Sequence, residues 1–152
     1  MTLEGLQQVI DRSIQHASPL TQKLFGDQPW DAEQVQALVN DVGGLTVATV
    51  SAAGVPHAAV VVAGSSKGSI CFAVSPDSIL QRNLSAGSAV AFTVVGDGHS
   101  IVGQGAATSR GETKHLRHLI SSLGPQFRLG SLILDPWEGL IYEISPARLF
   151  AH

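Results

Sequence analysis

From Leu45 onward the apolar residues recur at every second position, and this period limits what the chain can fold into more than any other feature. The runs Leu45 to Ser51, Pro56 to Ala63, Ser69 to Val74, Ala89 to Val95 and Ser100 to Thr108 are rich in Val, Ile, Thr and Ala. Glycine-containing turns separate them at Ala53-Gly54, Ser65 to Gly68 and Gly96-Asp97-Gly98. Each run reads as a strand. A helix interrupts the series from Ser75 to about Ala86, and Leu116, Leu119, Ile120 and Leu123 give another over Thr113 to Leu123, stopping at Gly124-Pro125. Leu140 to Ile144, extended by Arg148 to Phe150, completes the sheet. The pattern predicts a mainly β chain with helices, closed into a small barrel.

Ahead of the strands the period is helical. Leu3, Leu6, Ile10 and Ile14 share one face of a helix over residues 2 to 16, which ends before Pro19. A second helix starts at Asp31, which can cap the first turn with Gln34 reaching back, and Trp30 can pack on Val35. Val35, Leu38, Val39 and Val42 form its apolar stripe, and Gly43-Gly44 stops it. With 152 residues the chain is one domain, with an N-terminal helical segment 1–30 expected to pack on the barrel.

Composition bounds the partners. Only 14% of residues are charged while 44% are hydrophobic, too little charge to cover the surface of a typical monomer, so a second copy of the chain is expected. Nine Lys and Arg against twelve Asp and Glu, without a basic run, give no electrostatic support to nucleic-acid binding. The longest apolar run, Ala58 to Ala63, is far short of a membrane span, and Glu4, Asp11 and Asp27 spoil any signal peptide. A soluble cytoplasmic protein is expected. The single cysteine, Cys71, excludes an internal disulfide and any CxxC metal or redox motif.

Three motifs carry less than their letters suggest. Gly64-Ser65-Ser66-Lys67-Gly68 spells a nucleophile elbow, but a strand follows where a helix is required, so it reads as a hairpin turn. Gly96, Gly98, Gly103 and Gly105 open no helix and cannot form a dinucleotide fingerprint. His115 and His118 are three apart on a predicted helix and could share a metal, but Glu112 makes a poor third ligand and surface histidines are the simpler reading. More informative is Ser75-Pro76-Asp77-Ser78, which follows a strand and opens a helix with proline at its first position. Its free N–H groups, the hydroxyls of Ser75 and Ser78, and Arg82 one turn on could seat a phosphate. Plain capping explains the same residues.

Taken in order, several segments resemble the pyridoxamine 5′-phosphate oxidase-like family of split β-barrel flavoproteins. Leu45-Thr46-Val47-Ala48-Thr49-Val50-Ser51 is similar to the family's first strand, and Gly54-Val55-Pro56-His57 to the turn that follows. Ile70 to Pro76 resembles the third strand entering its helix, Arg82-Asn83-Leu84 the helix, and Gly105-Ala106-Ala107 a later strand. The resemblance covers Asp31 to Phe150 and implies a six-stranded split β-barrel with flanking helices. It also implies a homodimer with two interfacial cofactor sites, holding FMN in many members, a deazaflavin in some and haem in a few.

By position, Val60, Val61 and Val62 would lie along the isoalloxazine ring, and Ser75, Ser78, Arg82 and Asn83 around the phosphate. A flavin-dependent oxidoreductase is the implied activity, with no side chain required as acid or base. One departure stands out: Ile79 and Leu80 occupy positions where FMN-binding members carry Lys or Arg. Losing that cation removes a charge-assisted contact of about 1.5–3 kcal/mol. The departure keeps open a non-enzymatic ligand-binding barrel, haem-binding or cofactor-free. On this reading, Leu80→Lys restores the phosphate contact. Trp137 either borders the cleft or belongs to the core or interface.

Overall fold

A computed structural model describes residues 1–123 and 138–152. Gly124-Pro125 and Trp137, singled out in the sequence, lie outside the described residues. The elements run α1 (Leu3–Gln15), α2 (Pro19–Gly26), α3 (Ala32–Val42), β1 (Gly44–Val50), β2 (Pro56–Ser66), β3 (Ser69–Val74) and α4 (Ile79–Ala86), then β4 (Ala89–Gly96), β5 (His99–Glu112), a 3-10 turn (Thr113–His115), α5 (Arg117–Ser122) and β6 (Leu140–Ala151). The six strands close into an antiparallel barrel in the order β1-β2-β3-β6-β5-β4.

Turn chemistry sets the register. Lys67 and Gly68, and again Asp97 and Gly98, all have positive φ, which suits two-residue hairpin loops. The pairs Ser66↔Ser69 and Gly96↔His99 close those hairpins, so the elbow-like motif is a turn. The glycines of β5 answer to packing. A Cβ on Gly103 would overlap the Phe92 ring of the neighbouring strand, and one on Gly105 would meet the Ser145 carbonyl.

Inside the barrel Val47, Phe72, Phe92, Ile101, Ile144 and Leu149 are fully buried, with Phe72 stacked on Tyr142 at 5.9 Å between centroids. Leu6 and Ile10 of α1 join Val35 and Val39 of α3 in the same core, while Leu80 and Leu84 bring α4 into it. Asp31 and Gln34 form the expected capping box, and Gly43 ends α3 at φ 68°. Polar ties fix α3 to the β2–β3 hairpin. Asn40 exchanges hydrogen bonds with both backbone groups of Ser65 (2.7 and 3.0 Å), and Gln36 Oε1 accepts from Ser65 Oγ and the Gly68 N–H.

Some sequence expectations are corrected. Helix α1 does end before Pro19, which starts a further helix, α2, that the sequence analysis did not mark, with Ser18 as its cap. The helix expected from Ser75 begins at Ile79, because Asp77 adopts φ 60° and Ser78 supplies the cap. Thr113 to Leu123 divides at Leu116 into a 3-10 turn and a short helix, which puts His115 and His118 on separate elements. The last strand is continuous through Pro146, accommodated where the β5–β6 register shifts.

On the outer wall, Cys71, Ala73 and Ile141 are covered by Leu116, Leu119, Ile120 and Leu123. Beside them Glu143 accepts hydrogen bonds from Ser69 Oγ (2.7 Å), the Met1 ammonium (3.3 Å) and Arg110. Burial and the adjacent Glu143 carboxylate push the Cys71 thiol up to about 12, leaving almost no nucleophilic thiolate at neutral pH. Burial by itself would raise the Glu143 carboxyl, but the donors Ser69, Arg110 and the Met1 ammonium outweigh it and hold it below the usual carboxylate range. Its contribution to stability is therefore present above the unfolded carboxylate pKa and disappears as pH falls through the lower, folded value. Replacing Glu143 by Gln should cost about 1–3 kcal/mol at neutral pH. Denaturant titrations should also show a flatter loss of stability below about pH 5 in the variant than in the wild type.

Candidate functional site

Strand β2 changes partner part-way along. Its residues Pro56 to Val62 pair with β1, while Ala63 to Ser66 pair with β3. Beyond Ala63↔Phe72 the two strands part, and Ala73 and Val74 pair only with β6. An open cleft of about 400 Å³ occupies this split. Its walls are His57 and Ala59 to Val62 from β2, Ala73 and Val74 from β3, and Ser75, Ser78, Ile79 and Leu80 from the turn into α4.

The split also frees backbone groups. The Ala63 N–H donates to the Gly43 carbonyl on the β1 side, so by antiparallel alternation the N–H and C=O of Val60 point the other way. No β3 residue stands opposite Val60. The cleft thus joins an apolar lining to an unpaired strand edge, which suits a flat ring with hydrogen-bonding groups on its rim.

Of the residues singled out in the sequence, Val60, Val61, Val62, Ser75 and Ser78 lie together on these walls. Val60 is 83% exposed. Ser78 Oγ donates to the Ser75 carbonyl at 2.7 Å and accepts from the Gln81 N–H at 3.1 Å, so this hydroxyl works as the cap of α4. Arg82 is exposed and is not part of the lining. Asn83 is buried and donates to Thr49 Oγ1 at 3.0 Å, tying α4 to β1. Leu80 is 4% exposed and packs into the core, whereas Ile79 is 49% exposed, so a cation added to this wall belongs at position 79.

His57 is a wall residue that the sequence analysis named only as the end of a turn motif and gave no role in the site. Its Nδ1 is buried and has no hydrogen-bond partner. No metal-ligand cluster of three or more His, Cys, Asp or Glu occurs among the described residues.

No protein-family model and no curated protein matches the chain. Solved structures do. A candidate pyridoxamine 5′-phosphate oxidase from Listeria innocua is 11% identical, with 79% of this chain and 96% of that one covered and a TM-score of 0.60. The chain has the split-barrel fold of the pyridoxamine 5′-phosphate oxidase-like proteins. A haem-binding protein from Mycobacterium smegmatis matches this split barrel at 18% identity over 82% of this chain and 58% of that one, TM-score 0.63. An FAD-binding protein from the same organism is 16% identical, with 81% and 96% covered and a TM-score of 0.56.

The Asn83–Thr49 contact makes a prediction about the site's frame. Asn83→Ala should lower unfolding stability by about 1–3 kcal/mol in denaturant titration, because the buried Thr49 hydroxyl loses its donor.

Proposed function

We propose that this chain is a flavin-binding split barrel that works as a homodimer, with the ring of the flavin held in the cleft between β2 and the β3–α4 turn. The observation behind this reading is the split itself, an open and mainly apolar cleft with the free strand edge of Val60 along one side. When bound, a flavin supplies hydride and electron transfer, and the chain's residues position it. Val60, Val61 and Val62 offer the ring an apolar wall, and the unpaired edge offers donors and acceptors to its heteroatoms. FMN and a deazaflavin share that ring shape. The enzyme class that follows is an oxidoreductase.

The homodimer rests on the outer face of β2, β1, β4 and β5. Val60, Thr46, Thr93 and Val102 form one row across these strands, and Ala58, Ala48, Ala91 and Gln104 form the next. Both rows are free of charge. A two-fold dimer brings the same patch of both copies together, and small uncharged residues allow two sheets to approach closely. Val60 belongs both to this face and to the cleft wall, so pairing of the sheets would also shelter the slot.

A haem is the second reading, supported by His57 on the wall. Histidines that ligate metals usually donate their other ring nitrogen to an orienting partner, and His57 Nδ1 has none. This favours the flavin.

The absorbance spectrum of protein purified without added cofactor, followed by fluorescence titration with flavin, tests the proposal. Flavin bands, or saturable quenching in the micromolar range, are expected. A Soret band would support the haem instead, and no quenching at high micromolar flavin would overturn the flavin reading. Sedimentation should give a dimer for the wild type and a monomer for Thr93→Arg, whose charge lies in the middle of the proposed seam.

A further inference from the structure

The polar groups of the cleft fit a flavin ring and do not fit a flavin phosphate. Its lining holds no Lys, Arg, Asp or Glu among the described residues. Ser78 Oγ is committed to the turn, which leaves the Ser75 hydroxyl as the free side-chain donor at that end. At the exposed position of the first helical turn stands Ile79. From β2 to β5 the rows of the open sheet face are also uncharged, Arg148 standing beyond Gln104 on β6, so a second copy docked through β2, β1, β4 and β5 brings no cation from those strands' rows. A dianion drawn into such a slot loses water and gains little in return, and therefore stays in solvent.

At the other end stands His57. Its Nδ1 is a buried polar atom without a partner, and such groups call for an explanation in a native structure. With no hydrogen bond to lock it, the imidazole can turn about its last side-chain bond and present either nitrogen to a ligand. Between His57 and Ser75 the walls are Ala, Val, Ile and Leu.

Resting on the flavin reading above, we propose that the cleft binds the uncharged heteroaromatic ring of a flavin and leaves the phosphate in solvent, so that riboflavin is held as well as its phosphate ester, with His57 as the polar contact that orients the ring. Binding energy comes from the ring faces and one polar edge, and the phosphate contributes nothing.

Parallel titrations of the full chain with riboflavin and FMN test this directly. The two dissociation constants should agree within roughly threefold, and their ratio should hold from low to high salt. Ile79→Lys should shift the ratio of the two affinities about tenfold toward FMN. His57→Phe keeps an aromatic ring while removing both ring nitrogens, and should weaken riboflavin about tenfold without lowering the thermal transition of the free protein. FMN binding tenfold or more tighter than riboflavin in the wild type would overturn the proposal and leave the flavin reading standing. Binding of neither molecule would overturn the flavin reading, and this inference with it. Full riboflavin affinity in His57→Phe would remove His57 from the site.

Discussion

Strand β2 cannot follow both of its neighbours, and the rest of the molecule is arranged around that constraint. Pro56 to Val62 lie against β1, and only Ala63 to Ser66 lie against β3. The change of partner is held at its pivot, where the Ala63 N–H donates to the Gly43 carbonyl at the end of α3. Asn40 and Gln36 of the same helix grip the hairpin at Ser65 and Gly68. With the hairpin end pinned, the divergence of the strands is pushed to the other end. The slot therefore follows from the hydrogen-bonding geometry of the sheet.

Much of this was legible in the sequence, and the exceptions have physical causes. Lys67-Gly68 and Asp97-Gly98 announce their turns because few residues tolerate positive φ, and Asp31 with Gln34 announces a helix start. Helix α2 has a start signal in Ser18 and Pro19 but no amphipathic pattern to extend it. It buries none of its residues fully, so no apolar stripe marks it. The start of α4 was misplaced because Pro76 suits a first helical position, yet Ser78 two residues later is the better cap once Asp77 turns left-handed. That Ser75, Ser78 and the valines of β2 stand on one cleft agrees with the grouping read from the chain. His57 could not be placed there from the chain, because its meaning depends on which part of β2 loses its partner, and a single sequence does not reveal where two strands separate.

Charge is distributed with the same logic. The ionic cluster of Glu143, Arg110 and the Met1 ammonium lies on the β3–β6 side of the barrel, near the wall covered by α5. The rows spanning β2, β1, β4 and β5 carry none. Part of the chain's low charge content is thus gathered on these two rows of the sheet face.

The treatment of buried polar groups elsewhere in the fold gives His57 its weight. Ser13 donates to Val9 and accepts from the Leu149 N–H, Asn83 donates to Thr49, Asn40 serves both backbone groups of Ser65, and Glu143 gathers three donors. Each of these joins elements far apart in sequence, so each is fixed by the packing of the barrel itself. Among the described residues, the one buried side-chain nitrogen or oxygen left without a partner is His57 Nδ1, and it belongs to a residue on the wall of the split. Leaving such a group unpaired costs about 1–3 kcal/mol, and a ligand that paired with His57, as proposed above, would offset that cost.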